Sequence, residues 1–226
     1  MQLSLGMSRS YAVVDLETTG LDCWADLIIE IGLKIVSAGN ETQAESVLVK
    51  IDRPLPARIV ELTGITDQLL AQDGMPIDDA LAWFTKRIGD LPLVGHNVIK
   101  FDRGFLLEAA RNHRKNVPQP AQVIDEVNDL PASRFLDSMA LFKGYKLCLE
   151  PNPDENHYHY AQRVLDTPAQ GVRFNLAYAC NEVGIKTSGA ARHRAAGDAD
   201  LTQQLFEKLL QLHPPQAFWM GGKYAI

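Results

Sequence analysis

Asp15 and Glu17 stand two residues apart in Asp15-Leu16-Glu17-Thr18-Thr19-Gly20, directly after the apolar run Tyr11 to Val14. Alternate side chains of a strand share one face, with Cα atoms about 6.6 Å apart. Two carboxylates so placed can share one metal ion or hold two side by side. A lone pair of this kind also fits a strand-end aspartate beside a glutamate that opens a turn. Asp102 is followed by Phe105, Leu106 and Ala109 at helical spacing, so it heads a buried helix face. Capping a helix would explain it equally well. Asp198, with Leu201 and Leu205 behind it, repeats the arrangement. A first-turn acid complementing the helix dipole is its plain alternative. His193 lies five residues before Asp198. One shared site accounts for all five residues at once. Clustered carboxylates are costly to bury unless something neutralises them. Divalent cations do so, and that points to phosphoryl-transfer chemistry. A histidine beside such ions is suited to take the proton of an attacking water.

The surrounding pattern supplies elements to carry these groups. Residues 11–16, 27–36 and 45–51 read as three strands joined by short turns, with a hairpin turn at 37–40. Pro76 opens a helix with Ile77, Leu81, Phe84 and Ile88 on one face. A short strand at 91–94 and a helix over 101–112 follow. An extended piece at 134–136 runs into a short helix at 138–142. Helices over 175–183 and 199–212 close the pattern. A meander followed by strand–helix alternation predicts an α/β fold, a mixed sheet flanked by helices.

The chain of 226 residues reads as a single domain over 1–226, with its core at about 9–213 and a short tail at 214–226. Residues 144–172 hold prolines and the run His157-Tyr158-His159-Tyr160, and read as an inserted excursion. Its rings could stack on unpaired bases, fold back as a small core, or form a homodimer contact. Three cysteines without CxxC spacing point to a reducing, cytoplasmic setting. The N-terminus lacks a signal-peptide core, and no run reaches the roughly 20 apolar residues of a membrane span. A net charge of −6 argues against a general polyanion coat. It leaves a nucleic-acid enzyme open, because bound cations offset carboxylates locally.

The chain resembles the DEDDh (DnaQ-like) 3′–5′ exonuclease superfamily. The matching segments are VVDLETTGL (13–21), LTGITD (62–67), LVGHNVIKFDRGFL (93–106), RFLDSMAL (134–141) and FNLAYACNEVGIKTSGAARHRAAGDADLTQQL (174–205). The resemblance implies an RNase H-like fold, a mixed five-stranded sheet between helices. It implies that Asp15, Glu17, Asp102 and Asp198 hold two divalent ions, Mg²⁺ or Mn²⁺, with His193 as general base. It further implies that Thr18 and the backbone near Leu16 touch the terminal nucleotide. Leu21 and Ile65 would pack on its base or sugar, and His96, Asn97 and Phe101 would line the same pocket. Asp137 corresponds to a supporting acid beside the site. The implied substrate is nucleic acid with a free 3′ end, DNA before RNA, and single-stranded or frayed. The implied products are nucleoside 5′-monophosphates. An exoribonuclease and an inactive nuclease-fold binding module are the alternatives. The short ending HPPQAFWMGGKYAI favours a stand-alone enzyme while leaving a polymerase partner open.

Overall fold

The computed structural model describes residues 10–37, 40–41, 43–116, 126–187 and 193–212. The expected tail at 214–226 lies outside these, as do residues 38–39 of the expected turn at 37–40. At its centre is β1 (Tyr11–Thr18), antiparallel to β2 (Ile28–Ser37) and parallel to β5 (Leu93–Gly95). β6 (Phe135–Asp137) adds in parallel beyond β5. β3 (Asn40–Glu41) and β4 (Glu45–Leu48) both pair antiparallel with the outer edge of β2. They succeed one another along that edge, so the mixed sheet is five strands wide. A strand hydrogen-bonded on both edges and covered on both faces must be apolar throughout. Tyr11 to Val14 meet that requirement, each completely buried.

The alternation of β1 divides the interior in two. Ala12, Val14 and Leu16 pack with Leu81, Phe84 and Leu106, from α3 (Ile77–Ile88) and α4 (Asp102–Asn116). Tyr11 and Val13 pack with Phe142 and Phe206, from α5 (Ser138–Leu147) and α8 (Ala195–Leu212). Asp15 and Glu17 therefore fall on the α8 side. α3 starts beside Pro76 as its periodicity predicts, with Asp78 and Asp79 in its first turn and Lys86 and Arg87 in its last. Two seven-residue helices, α1 (Ala57–Thr63) and α2 (Asp67–Asp73), are not foreseen by the strand-and-helix reading. They meet at Gly64, in the left-handed region at φ 71°, inside the LTGITD motif. α8 starts at Ala195, four residues before the expected 199, which places Asp198 within its first turn.

Of the expected excursion at 144–172, the first residues complete α5, and Tyr160, Ala161 and Val164 pack into the core on the α3–α4 side. Residues His157–Asp166 form α6, with Asn156 capping its start through the His159 amide. α7 (Leu176–Glu182) follows. Tyr160 is buried, and its hydroxyl donates to the Leu149 carbonyl at 2.9 Å. Arg163 forks onto Glu155, and the His157 ring engages the Ser133 carbonyl. Tyr158 packs against the same core and His159 stays exposed, while Tyr160, buried there, offers no base-stacking surface. Among the described residues, no helix is long and apolar enough to cross a membrane.

Candidate metal centre

β1 delivers Asp15 and Glu17 to the sheet's α8 face at its C-terminal end. Opposite Asp15 on β2 is Gly32. A Cβ there would lie 2.3 Å from the carbonyl carbon of Ala195. The missing side chain lets the first residue of α8 rest directly on the sheet. Asp198 follows three residues on, and one carboxylate oxygen each of Asp15, Glu17 and Asp198 lies within 4.8 Å of the others. Asp102, the first residue of α4, enters beside them and is only 3% exposed. Its Oδ1 accepts the Leu16 amide at 3.1 Å. Three of the expected acids thus come together at one strand end, and Asp102 is held next to them by the Leu16 amide.

The charges oppose one another. Burial, then the charges of Asp102, Asp198, Glu17 and Glu30, push Asp15 well above the usual carboxylate range. Burial and the neighbouring Asp198, Glu30 and Asp102 raise Glu17 to about 8. Asp102 rises to about 7, because burial and Asp137 outweigh the amides that bond it. Crowded anionic oxygens in a partly dry site suit a hard divalent cation, which reverses the repulsion.

This repulsion sets a pH dependence. An unfolded chain releases these protons near pH 4, whereas the folded chain holds them towards pH 7 to 8. The resulting stability is full below about pH 4 and lost as pH climbs through the raised values. In EDTA the melting temperature should fall between pH 5 and pH 8.5, and Mg²⁺ should restore much of it at the upper end. Thermal melts that are flat with pH in EDTA would contradict a strained acid cluster.

One acid was not singled out in the sequence reading. Glu30 pairs across the ladder with Glu17 and is completely buried. Arg194 donates to it from Nη2 at 2.8 Å and from Nε at 3.1 Å. The Ala195 amide and the Ser46 hydroxyl add bonds of 3.0 and 2.7 Å. Burial alone would raise Glu30, but the bonds from Arg194, Ser46 and Ala195 outweigh it and hold the group below its ordinary value. Glu30 is a charged clamp on the segment that follows His193. His193 itself is left-handed at φ 60°, and its amide donates to Asp198 Oδ2 at 3.2 Å. The sequence signal was present: a single acid inside the apolar run 28–33.

The other expected site residues divide. Asp137 accepts the amides of Asn97, Ile99, Met139 and Ala140. Burial still raises it to about 6. It ties the 97–99 turn to the start of α5. His96 engages Ser138 Oγ at 2.9 Å and the Phe174 carbonyl at 2.7 Å, and burial draws it down to about 4. Both ring nitrogens are therefore used within the protein. Asn97 is left-handed at φ 68°, and Phe101 packs on Phe105 at 4.9 Å. The Thr18 hydroxyl donates to the Gly20 carbonyl at 2.5 Å. The Leu16 amide is taken by Asp102. Leu21 is 82% exposed beside the site. Ile65 corrects an expectation: it is fully buried with Ile29, Leu55 and Leu70, so it has no surface for a base or sugar.

The fold and these acids define a class that comparison with known proteins confirms. The RNase T-type family model, described as "Exonuclease", matches residues 12–136. The chain belongs to this DEDDh (DnaQ-like) exonuclease family. The PolC-type DNA polymerase III of Bacillus subtilis is 37% identical over 71% of the chain, which spans only 11% of that protein's length. The DNA polymerase III subunit epsilon of Aquifex aeolicus is 28% identical over 91% of the chain and 82% of its own length. Among solved structures, E. coli exonuclease I with a dT13 oligonucleotide superposes with a TM-score of 0.63 at 18% identity, over 92% of this chain and 42% of that one. Exonuclease X with 5′-overhanging duplex DNA gives 0.54 at 21% identity, over 90% and 92% of the two chains.

Proposed function

We propose that the chain is a 3′–5′ exonuclease that acts on DNA with a single-stranded or frayed 3′ end and releases nucleoside 5′-monophosphates. The observation that carries this reading is the convergence of Asp15, Glu17 and Asp198 within 4.8 Å, in a chain of the exonuclease family. Asp15, Glu17, Asp102 and Asp198 would hold two Mg²⁺ or Mn²⁺ ions, which supply Lewis acidity at the attacking water and the leaving oxygen. His193 takes the water's proton on its imidazole. The water oxygen joins phosphorus, the bond to the 3′ oxygen breaks, and that oxygen takes a proton from solvent to become the new 3′ hydroxyl. The clamp of Arg194 on Glu30 holds the backbone next to His193, and the His193 amide bond to Asp198 fixes its distance from the acids. Leu21 offers apolar surface to the terminal base, while Thr18, His96, Asn97 and Phe101 shape the pocket around it. DNA is favoured because the similar structures are described with DNA strands bound and the relatives are DNA polymerase III proteins.

The test uses 5′-labelled and 3′-labelled DNA and RNA oligonucleotides with Mg²⁺, Mn²⁺ or EDTA. The 5′-labelled DNA should shorten as a descending ladder, and the 3′ label should leave at once as a mononucleotide. RNA should be cut more slowly, and EDTA should stop all of it. Release of the 5′ label first, or cleavage in EDTA, would contradict the reading.

A further inference from the structure

The loop that follows Glu17 exposes two large apolar side chains, Leu21 at 82% and Trp24 at 72%. Exposed tryptophan is uncommon, since its ring is usually the most burial-prone surface on a chain. A mobile loop would make this unremarkable, but the loop is tightly bound. The Thr19 amide donates to the Leu27 carbonyl at 2.9 Å and closes the base. Asp26 accepts from the Thr19 hydroxyl and the Asp22 amide. The Trp24 amide donates to Asp22 Oδ1 at 3.0 Å. Arg53 spans the loop from outside, donating to the Ala25 carbonyl at 2.6 Å and to Thr19 Oγ1 at 3.2 Å. Gly20 is required here, because a Cβ would fall 2.3 Å from an Asp26 oxygen.

The loop leaves β1 directly after Glu17 and Thr18 and returns into β2 at Ile28. Cys23 Sγ lies 3.4 Å from where a Cβ on Gly104 would stand, two residues beyond Asp102 on α4. Cys23 is thus anchored on α4, and Trp24, the next residue, stands exposed on the loop that leaves the strand end carrying Asp15 and Glu17. Residues 19–27 contain no lysine or arginine, and Asp22 and Asp26 are acidic. A phosphate would not be drawn to such a surface, whereas the flat face of a base would.

We propose that Trp24 is a preorganised stacking platform for an unpaired base of the substrate strand, next to the nucleotide held at the acids. The proposal rests on the nuclease reading above and names a contact within it. Leu21, exposed on the same loop, would flank the terminal base. A rigid ring loses little entropy on binding, so the stack contributes nearly its full strength.

The experiment compares the wild type, Trp24→Ala and Trp24→Phe on a dT12 oligonucleotide and on the p-nitrophenyl ester of thymidine 5′-monophosphate, which has no neighbouring base. Stacking per base is worth about five- to 150-fold. Trp24→Ala should raise KM for dT12 about ten-fold or more, with kcat within two-fold. The change on the ester should be about ten-fold smaller, and Trp24→Phe should recover most of the loss. The KM ratio should stay constant from 50 to 200 mM salt, unlike that of a phosphate contact. Tryptophan fluorescence, read in EDTA so that no turnover is needed, should be quenched by dT12 in the wild type and much less in Trp24→Ala. If the wild type cleaves dT12 but KM and quenching are the same in Trp24→Ala, the stacking proposal is overturned and the loop is a protein-docking surface. If the wild type binds dT12 with quenching but cleaves nothing, the nuclease reading fails and the stacking contact stands.

Discussion

Asp15→Asn should lower the rate of 3′-end hydrolysis by on the order of 10³-fold or more, about 4 kcal/mol in the barrier. Asp15 is the central acid of the cluster, within 4.8 Å of oxygens from both Glu17 and Asp198 and within the field of Asp102. Removing its charge takes a ligand from the cations the site is built to hold. The fold should not suffer. Asn matches the shape of Asp, and it removes the buried carboxyl that burial and the charges of Asp102, Asp198, Glu17 and Glu30 push well above the usual range. The melting temperature in EDTA at pH 8 should therefore stay level or rise. Steady-state rates and thermal melts of the same preparation check both halves. A variant that keeps a rate within ten-fold of wild type would remove Asp15 from the mechanism. One that melts far lower would make it a structural residue.

Arg194→Ala should have the largest effect on stability. Glu30 is completely buried, and Arg194 supplies its strongest bonds. Removing one partner of a buried pair costs about 3–5 kcal/mol, because the other is left charged without compensation. The Arg194 side chain is 40% exposed, so solvent would replace part of that bond. A loss of about 2–3 kcal/mol is expected, or roughly 4–12 °C in melting temperature. Adding Glu30→Gln should restore part of it, since a neutral amide keeps an acceptor for the Ala195 amide and drops the stranded charge. The double variant melting lower than Arg194→Ala would show that the pair is not the main term. Catalysis should fall with Arg194→Ala as well, because the clamp fixes the residue next to His193.

The parts of this site legible in the sequence are those that depend on residue type and local spacing. The run Tyr11 to Val14 marks a strand buried on both faces, and Asp15 and Glu17 must then project together. The 3.6-residue rhythm of Leu81, Phe84 and Ile88 marks α3. What could not be read depends on register and distant contacts. Glu30 faces the acids because the ladder sets it opposite Glu17, and its partner lies 164 residues away at Arg194. α1 and α2 have seven residues each, too short for a periodic signal to stand out. α6 was hidden because its buried face uses Tyr160, whose polar tip needs the Leu149 carbonyl. Resemblance assigns Ile65 to the pocket, but packing with Ile29, Leu55 and Leu70 buries it completely. The start of α8 at Ala195 follows from Gly32 on another strand, which no local pattern near 195 announces.

The central claim is that Asp15, Glu17, Asp102 and Asp198 form one site for divalent cations. Calorimetric titration of Mn²⁺ into the EDTA-stripped and dialysed protein tests it most directly. The account predicts saturable binding in the wild type, loss of most of it in Asp15→Asn, and binding retained in Trp24→Ala, which leaves all four acids in place. Binding of equal strength and stoichiometry in wild type and Asp15→Asn, or no saturable binding in the wild type, would contradict it.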